Sequence, residues 1–544
     1  MTMEMKCLLL FSCCFLAVTK GDVDLTEGNV TSVQLTNGTS RLVHNVNKTG
    51  ISFIVIEVHA QTSNLTLSWK YTFTQDSTAS GRNVGVMTPY TSPGDIYWFI
   101  KIDEVDPVNV LLLVKYLKMN DPIPGGCNQI LNLENDPNML LSYTDYWTSV
   151  RFQWANIDTI SECESSLLQK QLEYDVYVYF VKEAKLGEKY FLDAMKKMIG
   201  VENIISNGRK VMTLTNDMKT KSNFTLSSIN GQGGIYGVVV KNTHLNTVAS
   251  YVSISSYGCN LTNQTCEIDV EDAEYVIGAL CFLVGVGLCF FGHKFLKTEF
   301  FVFGFIAWTI ISFVLLTLYT AIDPVLVLTM SCIIGIVGGG TSVLFWWYWG
   351  IPILSVLMVG FVGGFLFSAV VFFTPFGNLD IWNTEVNYWM AFTCALLIYP
   401  LVLLCYAKLL NILTCAFVGS YLICIIIDYL LHTTLKLIIF NTINHAIIDG
   451  YEKIKVVTPF DINDIIMVVT WVVLCIVGTA IQFNLTKGHA PFPPCPRAQR
   501  KRRLEQARNR QRAMDQFDNE RQPLICERPR QYNTYQRQEL YQPS

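Results

Sequence analysis

Seven runs of apolar residues follow one another near 275–292, 300–321, 325–345, 351–373, 388–406, 409–432 and 463–482. Each holds 18 to 24 residues, enough for a helix rising about 1.5 Å per residue to cover a hydrocarbon core of about 30 Å. Lipid offers no hydrogen-bond partner to open backbone, so such runs are predicted to be transmembrane α-helices. No other feature of the chain narrows its folding options as much.

Orientation follows from the flanks. Lys6 before the apolar stretch Cys7 to Val18, then small residues near Ala17–Thr19, has the form of a cleaved signal peptide. With residues 21–272 translocated, an odd number of spans leaves the C-terminus in the cytosol. The positive-inside rule agrees: His293, Lys294 and Lys297 lie between runs 1 and 2, Lys408 between 5 and 6, and an Arg-rich segment after 483, whereas Asp323, Asp380 and Glu385 occupy opposite loops. The net charge of −4 hides this asymmetry: residues 21–272 carry 27 Asp and Glu against 19 Lys and Arg, and residues 483–544 carry 13 Lys and Arg against 6 Asp and Glu. The loop between runs 6 and 7 breaks the rule with Lys436, Lys453 and Lys455. An amphipathic helix over its Leu435, Ile438, Ile439, Thr442, Ile443 and Ile447, lying on the luminal leaflet, is the expected explanation.

The expected fold class is a multi-domain membrane protein: signal peptide (1–20), two β-rich modules (21–128 and 129–272) reading as β-sandwiches, a seven-helix transmembrane domain (273–482) and a disordered basic cytosolic tail (483–544). Strands are predicted at Ser52–His59, Leu65–Phe73, Val108–Leu117, Tyr174–Phe180, Ile235–Val240 and Ser250–Ser255, with a helix at Lys189–Met198. Gly-Cys-Asn at Gly126–Asn128 and again at Gly258–Asn260 suggests that the two modules are related.

The ectodomain carries the marks of the secretory pathway. Seven Asn-x-Ser/Thr acceptors occur there, at Asn29, Asn37, Asn47, Asn64, Asn223, Asn260 and Asn263, while Asn484 falls on the cytosolic side. Its four cysteines, Cys127, Cys163, Cys259 and Cys266, predict two disulfides with three connectivities open. They form no metal-ligand pattern, and His44, His59 and His244 read as surface residues without a nucleophile motif. No catalytic set, cofactor, metal or nucleic-acid partner is expected.

Within the membrane runs, Gly335, Gly338, Gly339, Gly340, Gly360, Gly363 and Gly364 read first as helix-packing positions, with Gly360 and Gly364 on one face. A pore or hinge is the competing reading. Lys294 to Gly304, Trp349 to Gly360 and Lys408 to Gly419 share a spacing that suggests three tandem hairpins plus a seventh helix. Asp428 and His432, four apart on one face of run 6, form the candidate intramembrane polar pair for an ion or a proton; the plainer reading places both at headgroup level, bonded to each other. The runs hold neither Asp-Arg-Tyr nor Asn-Pro-x-x-Tyr, which disfavours a rhodopsin-like receptor.

The tail begins with Pro491-Phe492-Pro493-Pro494-Cys495-Pro496. A basic run from Arg497 to Arg512 follows, suited to anionic lipids of the cytosolic leaflet. Glu520, Leu524 and Ile525 fit the acidic dileucine signal read by clathrin adaptors, which points to endosomal or lysosomal sorting besides the plasma membrane.

The stretches Asp121–Asn128 (DPIPGGCN), Phe290–Glu299 (FFGHKFLKTE), Phe373–Leu379 (FTPFGNL) and Leu410–Cys415 (LNILTC) resemble the transmembrane 7 superfamily member 3 family. That resemblance implies a seven-helix topology and a link to cell survival and damping of endoplasmic-reticulum stress, with no catalytic residues to carry over. The leading expectation is a non-enzymatic membrane glycoprotein whose ectodomain binds an unidentified partner. A channel or transporter built from the Gly-rich helices, and an orphan signalling receptor, are the alternatives.

Overall fold

The computed structural model describes residues 22–128, 133–157, 163, 170–183, 185–215, 222–261, 266, 272–349, 352–488 and 496–521. The expected signal peptide, Asn263, Leu524 and Ile525 lie outside them. Two compact units emerge, one drawn from Met1–Phe290, Gly364–Tyr399 and Ala416–Gly478, the other from Phe291–Gly363, Pro400–Cys415 and Thr479–Ser544.

The first unit opens with a β-sandwich. One sheet runs β1 (Val23–Asp24), β3 (Gly38–Val46), β8 (Gly94–Ile102), β5 (Leu65–Ser68), β6 (Thr78–Gly81), and the other β2 (Thr31–Leu35), β9 (Val108–Lys118), β4 (Ile51–His59), β7 (Asn83–Pro89). Alternation sets the core side: Trp98, Ile100 and Ile102 of β8 point inward, against Ile54, Ile56 and Val58 of β4. A second sandwich follows, with one sheet of β10 (Met139–Tyr143), β11 (Trp147–Phe152) and β14 (Asn223–Ser227) and another of β13 (Arg209–Thr215), β12 (Leu172–Phe180), β15 (Gly234–Asn242) and β16 (Thr247–Ser250). Strand β17 (Ile254–Ser256) also pairs with β15, and helices α1 (Glu188–Lys196) and α2 (Val201–Asn207) lie between β12 and β13. Phe152, Tyr174 and Tyr251 fill its centre, with the Phe152 and Tyr251 rings 4.9 Å apart.

The near-continuous apolar runs of β4 and β9 have a tertiary cause. Their second face is also buried, because Phe53 and Val55 of β4 and Leu117 of β9 share a core with Phe152 and Tyr251 of the second sandwich. The two modules are therefore locked along a sheet face. Two histidines expected at the surface are buried there or nearby. His59 sits beside Glu57 on the shared face, and His44 lies inside the first module, its Nδ1 donating to Leu25 O (2.7 Å) and its Nε2 accepting from Tyr116 (2.6 Å). Alternation buries them, and only His244 is exposed.

Two strand predictions are corrected. Leu65–Phe73 ends at Ser68, whose hydroxyl accepts from the Lys70 N–H as the chain turns. Ser250–Ser255 is split between β16 and β17. Residues 121–128, assigned by sequence to the first module, bond to the second instead: Ile123 N donates to Asn156 O (2.8 Å) and Cys127 N to Trp154 O (3.0 Å).

Long apolar helices follow: α3 (Asp272–Phe291), α4 (Leu296–Tyr319), α5 (Pro324–Trp349), α6 (Pro352–Phe373), α7 (Glu385–Leu403), α8 (Ala407–Leu431) and, after the shorter α9 (Leu437–Ile447), α10 (Ile462–Leu485). They form five continuous helical stretches long and apolar enough to cross a membrane. Two of these, Gly278–Tyr319 of 42 residues and Glu385–Leu431 of 47, are interrupted by 3-10 turns at Gly292–Phe295 and Leu404–Tyr406. At about 1.5 Å per residue each is roughly twice the hydrocarbon thickness.

The basic segment expected to be disordered is instead helical as α11 (Pro496–Arg521). Proline suits the first helical position, and the Arg, Gln, Glu, Ala and Leu that follow are strong helix formers.

Glycines set the closest helix contacts. A Cβ on Gly339 would lie 2.7 Å from Phe301 O, one on Gly338 2.2 Å from Trp308 Cγ, and one on Gly360 3.0 Å from Pro400 Cβ. Gly364 is buried. The three glycines of the spacing repeat all sit at such crossings, Gly304 against Ser342, Gly360 against Pro400 and Gly419 against Cys289 N. Adjacent substitutions in α5 should therefore diverge. Gly340 has nothing within 4 Å of an added Cβ, so Gly340→Ala is expected to raise the detergent melting temperature, gaining up to about 1 kcal/mol of helix propensity. Gly339→Ala is expected to lower it, at a cost of about 1–3 kcal/mol for overpacking against main chain.

Candidate functional site

Asp428 lies in the last turn of α8 and is fully buried. Leu435 and Lys436, seven and eight residues beyond Asp428, are brought back over the helix end because His432 adopts φ +52° and reverses the chain. The Asp428 carboxylate accepts the backbone N–H groups of Leu435 (2.8 Å) and Lys436 (3.0 Å) and the Thr433 hydroxyl. It is a chain-reversal cap. The His432 ring is half exposed and faces Glu183 of the second module at 3.5 Å. The expected Asp428–His432 pair is thus separated, because the left-handed turn sends the two side chains to different partners. Asp464 repeats the device at the start of α10, accepting from Thr434 N and Oγ1 (both 2.8 Å) and from Asp461 N (2.7 Å).

The loop between these two carboxylates joins the second sandwich. Lys455 N donates to Thr225 O (3.1 Å) and Ser227 N donates to Lys455 O (3.0 Å), which adds a short parallel segment to β14. Val457 is buried in the core of that sandwich. Lys436 Nζ reaches Glu183 at 2.9 Å with both side chains nearly buried, and Lys455 Nζ reaches Asp380 at 2.7 Å. The Asn378 side chain brackets Val456 through its N–H and C=O, each at 2.8 Å. All three lysines that broke the charge rule therefore have carboxylate partners, the exposed Lys453 the loosest at 3.9 Å from Glu452. The predicted amphipathic helix exists as α9, but Ile438, Asn441 and Thr442 are buried within the protein. His445 stacks on Tyr388 at 3.9 Å, and burial pushes its pKa down to about 4, so it is neutral near pH 7.

The second unit holds a polar cluster that the sequence reading missed. Glu299, in the first turn of α4, is 1% exposed; Asn411 of α8 is fully buried; His293 sits in the turn between α3 and α4. Asn411 Nδ2 donates to Glu299 Oε2 (3.0 Å) and to His293 Nδ1 (3.0 Å), and His293 N donates to Gln482 Oε1 (3.1 Å). Assigning residues 293–299 to a charged loop concealed it. The usable signal was Glu299 next to the apolar run that begins at Phe300, and Asn411 flanked by Leu410 and Ile412.

Among the described residues, no group of three or more His, Cys, Asp or Glu could hold a metal ion. Cys127 is joined to Cys163 and Cys259 to Cys266, with Cα atoms 5.6 and 5.4 Å apart. Asn29, Asn37, Asn47, Asn64, Asn223 and Asn260 are all exposed. Glu520 falls within α11.

Three family models match. The model "TM7SF3-like, N-terminal immunoglobulin-like domain" covers residues 21–116, "TM7SF3-like, second immunoglobulin-like domain" covers 122–262, and "TM7S3/TM198-like domain" covers 278–483. Transmembrane 7 superfamily member 3 of Rattus norvegicus is 34% identical over 457 residues, 82% of this chain and 80% of that one. The Homo sapiens protein of the same name is 34% identical over 469 residues, 84% and 81% of the two chains. Among solved structures, the pre-peptidase C-terminal domain of a Bacillus anthracis collagenase aligns at 15% identity over 18% of this chain and 98% of its own, with a TM-score of 0.15.

Proposed function

This chain belongs to the transmembrane 7 superfamily member 3 family, and from that premise we propose that it is a non-enzymatic seven-pass glycoprotein whose ectodomain binds a protein partner and passes the bound state to the helices. The carrying observation is the junction at β14, where residues 455–457 of the loop before α10 bond to the second immunoglobulin-like module. A module tethered only through the start of α3 would swivel freely. One joined through its sheet edge and the Glu183–Lys436 pair moves with the loop.

The same contacts support the span count and orientation. Loops 374–384 and 432–461 both bond to each other or to the second module, so an even number of crossings precedes each. Four helices precede the first loop and two more the second. α10 then adds a seventh crossing, which puts α11 in the cytosol beside anionic lipids. The exposed acceptor asparagines fit a glycosylated luminal or extracellular face, and Glu520, Leu524 and Ile525 supply the proposed adaptor signal. By family resemblance the role is support of cell survival and damping of endoplasmic-reticulum stress.

Charge reversal at the junction tests the coupling. Glu183→Lys and Lys436→Glu should each cost on the order of 3 kcal/mol, since each leaves a nearly buried charge unpaired. Neither is expected to restore survival to cells lacking the protein under luminal folding stress, while the double reversal restores it. If both single variants fold, reach the same membranes and protect as well as wild type, the coupling reading is wrong.

A further inference from the structure

We propose that Glu299, Asn411 and His293 form a proton-binding site, in which one proton is held between the Glu299 carboxyl and the Asn411 amide carbonyl. Asn411 spends both hydrogens of its amide group, one on Glu299 Oε2 and one on His293 Nδ1, each at 3.0 Å. Two acceptors are then left over. Glu299 Oε1 and Asn411 Oδ1 are both buried without a hydrogen-bond partner, and among the described residues no ion pair reaches Glu299. A buried carboxylate without a cation is far costlier than a buried neutral acid.

One proton answers both vacancies. Placed on Oε1 it makes that oxygen a donor, and the carbonyl of the amide already bonded to Oε2 is its natural acceptor, so an O–H···O bond closes a two-bond acid–amide ring. A metal cation fits less well. Gln482 Oε1 is already engaged by His293 N at 3.1 Å, and the other neighbours are an imidazole and the Cys415 thiol, which are poor donors for a hard cation. The titratable groups facing the carboxyl are thus His293 from the turn and Cys415 from α8. Lys294 and Lys297 are exposed, and Lys408 Nζ is occupied by Thr486 O at 2.9 Å. His293 belongs to the turn that carries exposed Lys294, so it gives the proton a route toward the aqueous side.

The test uses full-length protein in phosphatidylcholine vesicles and dicyclohexylcarbodiimide, an apolar reagent that couples to protonated carboxyls. Mass spectrometry of the Glu299 peptide should show labelling near neutral pH that falls about tenfold per pH unit above a midpoint. Thermal stability should fall as pH rises from the ordinary carboxyl range up to that midpoint and level off above it, because a proton bound more tightly by the folded state stabilises it only while the proton stays. Glu299→Gln keeps the acceptor for Asn411 Nδ2 and supplies a permanent donor to Asn411 Oδ1, so its stability should be flat across that range. Absence of labelling at every pH overturns the proposal, as does a wild-type stability profile as flat as that of the variant. Loss of labelling on adding sodium or calcium at constant pH also overturns it, by making a metal ion the occupant. Should Glu299→Gln fail to fold, the wild-type labelling profile alone decides.

Discussion

Lys115→Met is expected to destabilise the ectodomain by about 3–5 kcal/mol, more than any surface substitution in the chain. Glu57 on β4 is 1% exposed and pairs with Lys115 on β9, while His59 Nε2 lies 3.5 Å from its other oxygen. Lys115 Nζ also donates to Ser250 O (2.8 Å) and Ser250 Oγ (2.9 Å), so one ammonium ties both modules together. Burial raises the Glu57 pKa, but the charge of Lys115 and the contacts of His59 outweigh it, and the net shift is below the ordinary 4.5. A carboxylate depressed on folding contributes stability above its unfolded pKa and loses it as pH falls through the folded one. The contribution of this pair in wild type should therefore be lost only in acid, below about pH 4. In Lys115→Met the sign reverses, because a buried Glu57 with no lysine favours its protonated form, and stability should rise on acidification. Glu57→Gln combined with Lys115→Met should recover most of the loss, since replacing both charges removes the unpaired one. Melting curves of the full-length glycoprotein from about pH 3 to about pH 8 read all three variants. A Lys115→Met curve parallel to wild type would show that the pair contributes nothing.

Asp428→Ala ranks second, at about 3–4 kcal/mol. The change leaves one buried and one partly buried N–H group and one buried hydroxyl without their acceptor, each costing up to about 1–3 kcal/mol, partly relieved by relaxation. Asp428→Asn keeps one acceptor oxygen and should lose roughly half as much. Trypsin reports the outcome locally, because Lys436 and Lys455 are protected by their carboxylate partners in the native loop and become cleavable once it detaches. If Asp428→Ala leaves the tryptic pattern unchanged and instead abolishes an ion flux, the residue is an ion ligand rather than a cap.

Much of the secondary structure was legible in advance. The apolar runs matched long helices because a bilayer-length stretch without charge has one satisfactory backbone conformation in lipid. The strands at Ser52–His59 and Val108–Leu117 were visible as β-branched runs. What could not be read was why they lack polar alternation, since the second buried face belongs to a module more than 30 residues away in sequence. The tail helix was missed because its composition suggested solvation, while its helix propensities were given no weight.

The candidate sites divide in the same way. Asp428 stood out as an acid in an apolar run, but spacing on an ideal helix paired it with His432, and the left-handed turn at His432 undoes that geometry. Glu299 and Asn411 lie 112 residues apart, in two of the stretches that carry the family resemblance, and nothing local to either names the other.

By itself, then, the order of residues determined which segments are helices and strands and which chemistry each carries, because hydrophobic period, turn chemistry and charge act over short distances along the chain. The tertiary structure alone decided the partners: Lys115 for Glu57, Lys436 for Glu183, Asn411 for Glu299, and residues 455–457 for the edge of β14. Each of these is a buried polar or charged group whose cost is offset only by a specific group brought from elsewhere in the chain, and that pairing is a property of packing rather than of local sequence.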